Sequence, residues 1–79
     1  MKNFKTKDEL IAIANKELRA DPSFIPGMEI YNARMEKHVL VMEGEMFFEN
    51  QSPTAKTLKS FDIYNKIAEK LSRIYSIKD

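Results

Sequence analysis

The sequence predicts an α+β fold with the element order α-β-β-α. In this fold an antiparallel β-hairpin with a long, bent second strand packs against an N-terminal helix and a long C-terminal helix. The prediction rests on apolar residues that recur at helical spacing near both ends of the chain and on apolar–polar alternation in the middle. A chain of 79 residues buries one small core, so we expect a single domain over residues 1–79.

The first helix is predicted from about Lys7 to Arg19. Thr6 and Glu9 have the spacing of a capping box, in which each side chain satisfies a free backbone amide of the other residue. Apolar residues then recur at helical spacing: Leu10, Ile11, Ala14 and Leu18. The same spacing turns Asn15 toward solvent. The helix ends at "ADPSFIPG", because prolines and a glycine cannot continue it.

Two extended segments follow, "MEIYNA" (Met28–Ala33) and "HVLVMEGEMFFE" (His38–Glu49), with "RMEK" as the predicted turn. One parity of the second segment is the predicted buried face: His38, Leu40, Met42, Gly44, Met46 and Phe48. The residues at the alternate positions are partly apolar and, further along, mostly acidic, which is typical of a sheet face exposed to water. Gly44 marks either a bend in one long strand, which we prefer, or the corner of a second short hairpin.

The second helix is predicted from about Pro53 to Ser76, with Ser52 as N-cap and Pro53 at the first helical position. Its apolar residues fill nearly half of the helical circumference. A helix of this extent is roughly 35 Å long, which is more than so small a domain needs. The excess favours contact with a second copy of the chain.

Composition excludes several classes of function. The net charge of +1 gives no general attraction to nucleic acid or to acidic membranes. No apolar stretch approaches the ~18–20 residues that cross a membrane, and no apolar stretch follows the N-terminal lysines, so we expect a cytoplasmic protein without a signal peptide. Cysteine is absent, which excludes disulfides, thiolate catalysis and cysteine-bound metals.

No catalytic residue, metal site or cofactor is predicted. His38 is the single histidine and no G-x-S-x-G motif accompanies the serines, so we interpret it as a histidine beside the turn. Glu43, Glu45 and Glu49 share one strand parity, but further oxygen ligands for a metal are absent nearby. We interpret these glutamates as a solvated sheet face.

The start of the second helix is a candidate anion-binding site formed by Ser52, Thr54, Lys56 and Lys59. Free backbone amides and two lysines at a helix N-terminus suit a phosphate or a carboxylate, and no acidic residue accompanies them. The "AKT" run lacks the glycines of a P-loop. The alternative is an ordinary helix cap whose lysines extend into water or pair with an acid such as Glu49.

A basic ridge along the second helix is formed by Lys66, Lys70 and Arg73. Asp62 stands four residues before Lys66, and Glu69 four before Arg73, which favours local ion pairs. No aromatic residue sits among these bases to stack on a nucleotide. The pattern disfavours nucleic-acid binding without excluding it.

Four stretches, "ELIAIANKELR", "VLVMEGEMFF", "SPTAKT" and "LSRIYSIKD", resemble the YciN-like proteins in sequence and spacing. The resemblance covers about Glu9 to Asp79 and departs at Met35–Lys37, where a glycine-containing turn is expected. It implies a small cytoplasmic bacterial protein of no assigned activity, and it supplies no catalytic or binding residue.

We therefore expect a non-enzymatic protein-interaction or regulatory module that binds another protein or a second copy of itself. The contact surface would be the apolar arc of the second helix or the edge of the sheet. The alternative is a small anion- or nucleic-acid-binding protein that uses the start of the second helix and the basic ridge.

Overall fold

The computed structural model describes residues 3–49 and 52–77. The two helices and the antiparallel hairpin confirm the predicted α+β class, and short additional strands join them. The elements in chain order are β1 (Asn3–Lys5), α1 (Lys7–Ala20), β2 (Ile30–Glu36), β3 (Val39–Gly44), β4 (Phe48–Glu49), β5 (Ser52–Pro53), α2 (Ala55–Ser72) and β6 (Tyr75–Ile77).

The start of α1 is confirmed in detail. The Thr6 amide donates to Glu9 Oε1 at 3.0 Å, and the Glu9 amide donates to Thr6 Oγ1 at 3.1 Å, which is the predicted capping box. The helix ends at Ala20, one residue beyond the predicted Arg19.

Asn15 does not face solvent as predicted, because its amide pairs with the backbone of β2. Its Nδ2 donates to the Ile30 carbonyl and its Oδ1 accepts from the Ile30 amide, both at 2.8 Å. The side chain is only 7% exposed. Asn15 thus takes the place of a neighbouring strand at the point where a bulge shifts the β2–β3 register, between Ile30 and Asn32.

The hairpin turn lies later in the chain than the predicted "RMEK", which spans Arg34–Lys37. Lys37 and His38 form the turn with φ of 49° and 70°, while Arg34 to Glu36 remain in β2. A two-residue turn with both φ values positive matches the right-handed twist of the flanking strands. The prediction that His38 lies on the buried strand face is wrong for the same reason, since the turn exposes it.

The predicted long second strand is divided. Its first half is confirmed, because Leu40, Met42 and Gly44 are buried. In the second half the predicted burial of Met46 is wrong, since it is 43% exposed, and the side chain of Phe48 lies outside the described part of the chain. The strand ends at Gly44, where the ring of Tyr64 and the carbonyl of Glu29 occupy the space beside its Cα. The segment beyond it forms β4, which pairs with β5 and not with β2.

The second helix is shorter than predicted at both ends. Ser52 and Pro53 lie in β5, and the N-cap is Thr54, so the predicted roles of N-cap and first helical residue are wrong. The Thr54 amide and Oγ1 both donate to the Phe47 carbonyl, at 3.0 and 3.1 Å, which keeps the chain extended up to Thr54. The helix therefore begins at Ala55.

The C-terminal end of α2 is Ser72 and not Ser76, because the next residues form a strand. β6 pairs in parallel with β1, in a register that joins Asn3 to Tyr75. Tyr75 and Ile77 pack partly buried against the core. An 18-residue helix is roughly 27 Å long. α2 therefore lacks most of the extra length that favoured contact with a second copy of the chain.

The two helices cover one face of the hairpin. α1 packs on β2, α2 packs on β3, and the helices contact each other. The core residues of α2 are Ile63, Tyr64, Ile67, Ala68 and Leu71. The opposite sheet face is open, as predicted, and carries an ion pair of Arg34 with Glu43 beside the exposed Val39. Within the described residues, no helix has the length and apolar character needed to cross a membrane.

Candidate functional site

The outer edge of β3 lies beside α2, and its residues Leu40 and Met42 are 2% and 4% exposed. Among the described strands, β3 pairs only with β2. The Leu40 amide points away from β2, because it donates to Ser72 Oγ at 3.1 Å. In an antiparallel pair every second residue turns its amide and carbonyl outward, so Met42 also points to this edge.

A cavity of about 560 Å³ lies along this edge. Val39 and Val41 of β3 form one wall. Asn65, Glu69 and Ser72 of α2 belong to the other wall, and His38 and Arg73 also line the cavity. The cavity is therefore a channel between a strand edge and the helix that packs on that strand.

A smaller cavity of about 140 Å³ continues the channel toward Gly44. Its lining is largely apolar and includes Met42, Met46, Phe61 and Tyr64, and it shares Asn65 with the larger cavity. Together the two cavities form one groove, which runs beside His38–Gly44 of the hairpin and Phe61–Arg73 of α2. We call it the β3–α2 groove.

Apolar side chains on the surface border the smaller cavity. Tyr31, Met46 and Phe61 are 49%, 43% and 39% exposed and line it together. The Tyr64 hydroxyl donates to the Glu45 carbonyl at 2.9 Å, and burial raises the pKa of Tyr64. Most of the lining at this end of the groove is apolar, and Glu43, Asn65 and the Tyr64 hydroxyl add polar groups to it.

The residues considered for catalysis or metal binding do not assemble. His38 lies in an exposed turn, and the Ser72 hydroxyl accepts from the Leu40 amide. Glu43 pairs with Arg34, and the side chain of Glu49 lies outside the described part of the chain. Across residues 3–49 and 52–77, no three His, Asp or Glu side chains are grouped to hold a metal ion.

The candidate anion-binding residues lie near one another at the start of α2. Ser52, Lys56 and Lys59 are exposed, but the Thr54 hydroxyl donates to the Phe47 carbonyl and does not cap the helix. In the described part of the chain, neither Lys56 nor Lys59 forms an ion pair, and the first helical turn holds no acid.

The basic ridge is neutralised within the chain. Lys70 pairs with Glu17 at 2.7 Å and Lys66 approaches Asp21 at 3.9 Å, which joins α2 to α1. Arg73 pairs with Glu69 at 3.0 Å, as predicted, whereas Lys66 meets Asp21 in place of the predicted Asp62.

The sequence predicts a contact surface on the second helix or at the sheet edge, but it does not predict that the two form one groove. Its walls come from β3 and from a helix that follows about ten residues later, so no local spacing marks it. Two signals were present: Gly44 inside an apolar strand, and Phe61 at the edge of the apolar arc of α2.

Comparison with known proteins gives a family but no activity. The family model described as protein of unknown function (DUF2498) matches residues 1–78. Protein YciN of Escherichia coli strain K12 is 31% identical over 74 residues, which cover 92% of this chain and 89% of YciN. The YciN proteins of E. coli O6:H1 and O157:H7 give the same values. No solved structure matches.

Proposed function

Because this chain belongs to the YciN-like family DUF2498, for which no function is assigned, we propose its function from its own surface: a non-enzymatic protein-interaction module that contacts its partner through the β3–α2 groove. The predicted YciN-like family is confirmed. The family has no established catalytic residues that could be transferred to this chain.

One observation carries the proposal. A strand edge with outward backbone groups at Leu40 borders the larger cavity of the groove, of about 560 Å³, and exposed apolar side chains lie at the Phe61 end. Backbone groups at a sheet edge provide affinity for another polypeptide, and neighbouring pockets provide selectivity. These are the requirements of protein binding and not of bond-making chemistry.

The proposed partner is a polypeptide. The sequence favours either another protein or a second copy of this chain. Another protein would bind in the groove, and a second copy would use the exposed apolar residues beside it. We propose the bacterial cytoplasm as the compartment, which the absence of cysteine supports.

Site-specific photocrosslinking in living cells tests this proposal. A photoreactive phenylalanine analogue replaces Asn65, which lies in the groove, or Lys66, the next residue on α2, which faces Asp21. We expect protein adducts at position 65 and none at position 66. Equal adducts at both positions, or none at either, would contradict the proposal.

A second candidate function is anion binding at Lys56 and Lys59. It is supported by the exposure of both lysines at a helix N-terminus with no acidic residue in its first turn. It predicts salt-sensitive binding of inorganic phosphate or of a DNA oligonucleotide that Lys56→Glu weakens. No binding of either probe at low salt would remove this candidate.

A further inference from the structure

We propose that the β3–α2 groove binds an extended peptide segment of another protein, which adds to the outer edge of β3 as a new strand. This inference rests on the proposed function and narrows it to one kind of partner. The segment has aliphatic residues at alternate positions, an acidic residue at the end near the hairpin turn and a basic residue at the end near Glu45.

The backbone of β3 sets the hydrogen bonds of such a strand. Leu40 and Met42 turn their amides and carbonyls outward, two residues apart, as a strand partner requires. The Leu40 amide is held by the Ser72 hydroxyl at 3.1 Å. A peptide carbonyl replaces that hydroxyl, and Ser72 turns toward water at the end of α2.

The helix layer leaves room for one more strand beneath α2. Two neighbouring strands lie about 4.8 Å apart, whereas two packed helices lie roughly 8–10 Å apart. Here two helices that contact each other cover a sheet of two strands. Half the difference between these spacings puts the α2 axis roughly 1.6–2.6 Å outside β3 when the helix layer is centred over the strands. An added strand would therefore lie under the outer side of α2.

The same spacing argues against a second copy joined through β3. Two identical antiparallel strands are related by a two-fold axis perpendicular to the sheet, so both helix layers would lie on one face. That axis would pass about 2.4 Å outside β3, midway to the next strand. This two-fold axis would nearly coincide with the helix axis of α2. α2 and its symmetry copy would therefore occupy the same space.

The small cavity gives the segment its side-chain preference. The volume of about 140 Å³ is lined by Met42, Met46, Phe61 and Tyr64 and by Gly44, which has no side chain. It fits one aliphatic side chain of the added strand. Since alternate side chains of a strand point to one face, the side chain two positions away lies on the same side as Ala68, the apolar residue that α2 contributes to the larger cavity.

The two ends of the groove differ in charge. Lys37 and His38 lie at the turn end with Arg73 close to them, and Glu43 and Glu45 lie at the other end. Within the described residues, neither Lys37 nor Glu45 forms an ion pair. A segment with an acidic residue at the turn end and a basic residue at the other end complements both.

The test uses nine-residue peptides selected from a displayed random library on the wild-type protein. A selected peptide is synthesised with a fluorescent label, and its affinity is measured by anisotropy. We expect alternate aliphatic residues in the selected sequences. We expect Asn65→Trp, which fills the groove, to weaken binding at least tenfold, and the neighbouring Lys66→Trp to change it less than twofold. Asn65→Arg repeats the test with a different side chain, and circular dichroism verifies the fold of each variant.

Three results would overturn the inference. They are the absence of any selected peptide, an Asn65→Trp variant that binds within twofold of wild type, and an NMR titration of the isotope-labelled protein with the peptide in which the amide shift changes avoid β3. If light scattering instead shows a dimer that Asn65→Trp dissociates, the peptide inference fails and the proposed interaction function stands. If crosslinking at position 65 also gives nothing, both fail.

Discussion

Replacing Asn15 by alanine tests how α1 fixes the hairpin that carries the groove. The Asn15 side chain makes two hydrogen bonds of 2.8 Å, to the amide and the carbonyl of Ile30. Ile30 is fully buried, so water cannot replace the lost amide. The substitution leaves both backbone groups without a partner.

The size of the effect follows from these two groups. Each unsatisfied buried group costs about 1–3 kcal/mol, and alanine returns roughly 0.5 kcal/mol through its higher helix propensity. The free energy of unfolding should therefore fall by roughly 2–5 kcal/mol. A domain of this length has a total stability of only roughly 4–12 kcal/mol, so the variant stands near the limit of folding.

Urea unfolding followed by far-UV circular dichroism measures this loss. Asn65→Ala is the matched control, because it removes the same side chain from an exposed position of α2 and gains the same helix propensity. The slope with urea should stay unchanged while the midpoint falls. A difference between the two variants below about 0.5 kcal/mol, the range of ordinary surface changes, would refute the reasoning.

Three further substitutions test the groove and the turn. Gly44→Ala should lower the free energy of unfolding by roughly 1–3 kcal/mol, because its methyl would lie 2.6 Å from Tyr64 Cε2 and 2.7 Å from the Glu29 carbonyl; an unchanged urea midpoint would contradict this contact. His38→Gly should raise the free energy of unfolding by about 0.5–1 kcal/mol, since φ is 70° there, and a lower midpoint would show that the turn differs. Burial raises the pKa of Tyr64 above its ordinary value of 10.0. The stability that the neutral Tyr64 hydroxyl contributes is therefore fully present below pH 10, and it is lost as the pH rises through the pKa of the folded protein. Tyr64→Phe should remove that alkaline loss, and an identical pH profile for both proteins would contradict it.

Local patterns predicted the parts of the fold that local chemistry decides. The capping box at Thr6 and the buried parity of Leu40 and Met42 depend on neighbours in sequence, and both are confirmed. Asn15 was misplaced because a helical wheel assigns every polar residue to water, whereas this amide pairs with a backbone 15 residues away.

Long-range pairing limited the remaining predictions. The strands Asn3–Lys5 and Tyr75–Ile77 are three residues long and join the two ends of the chain, so neither carries a pattern of its own. The same pairing ends α2 at Ser72. The sequence predicted the candidate site only in part, because the β3–α2 groove depends on the relative widths of the helix layer and the strand layer. The anion-binding role of Ser52, Thr54, Lys56 and Lys59 stays a prediction.

Hydrogen exchange at the Met42 amide tests the central claim most directly. The register turns this amide to the open edge of β3, where an added strand would accept its hydrogen bond. With the selected peptide at saturation, its exchange should slow at least tenfold, while the Ser23 amide, which donates to Asp21 in the loop after α1 and lies outside the groove, keeps its rate. An unchanged Met42 rate under saturating peptide would contradict strand addition to β3.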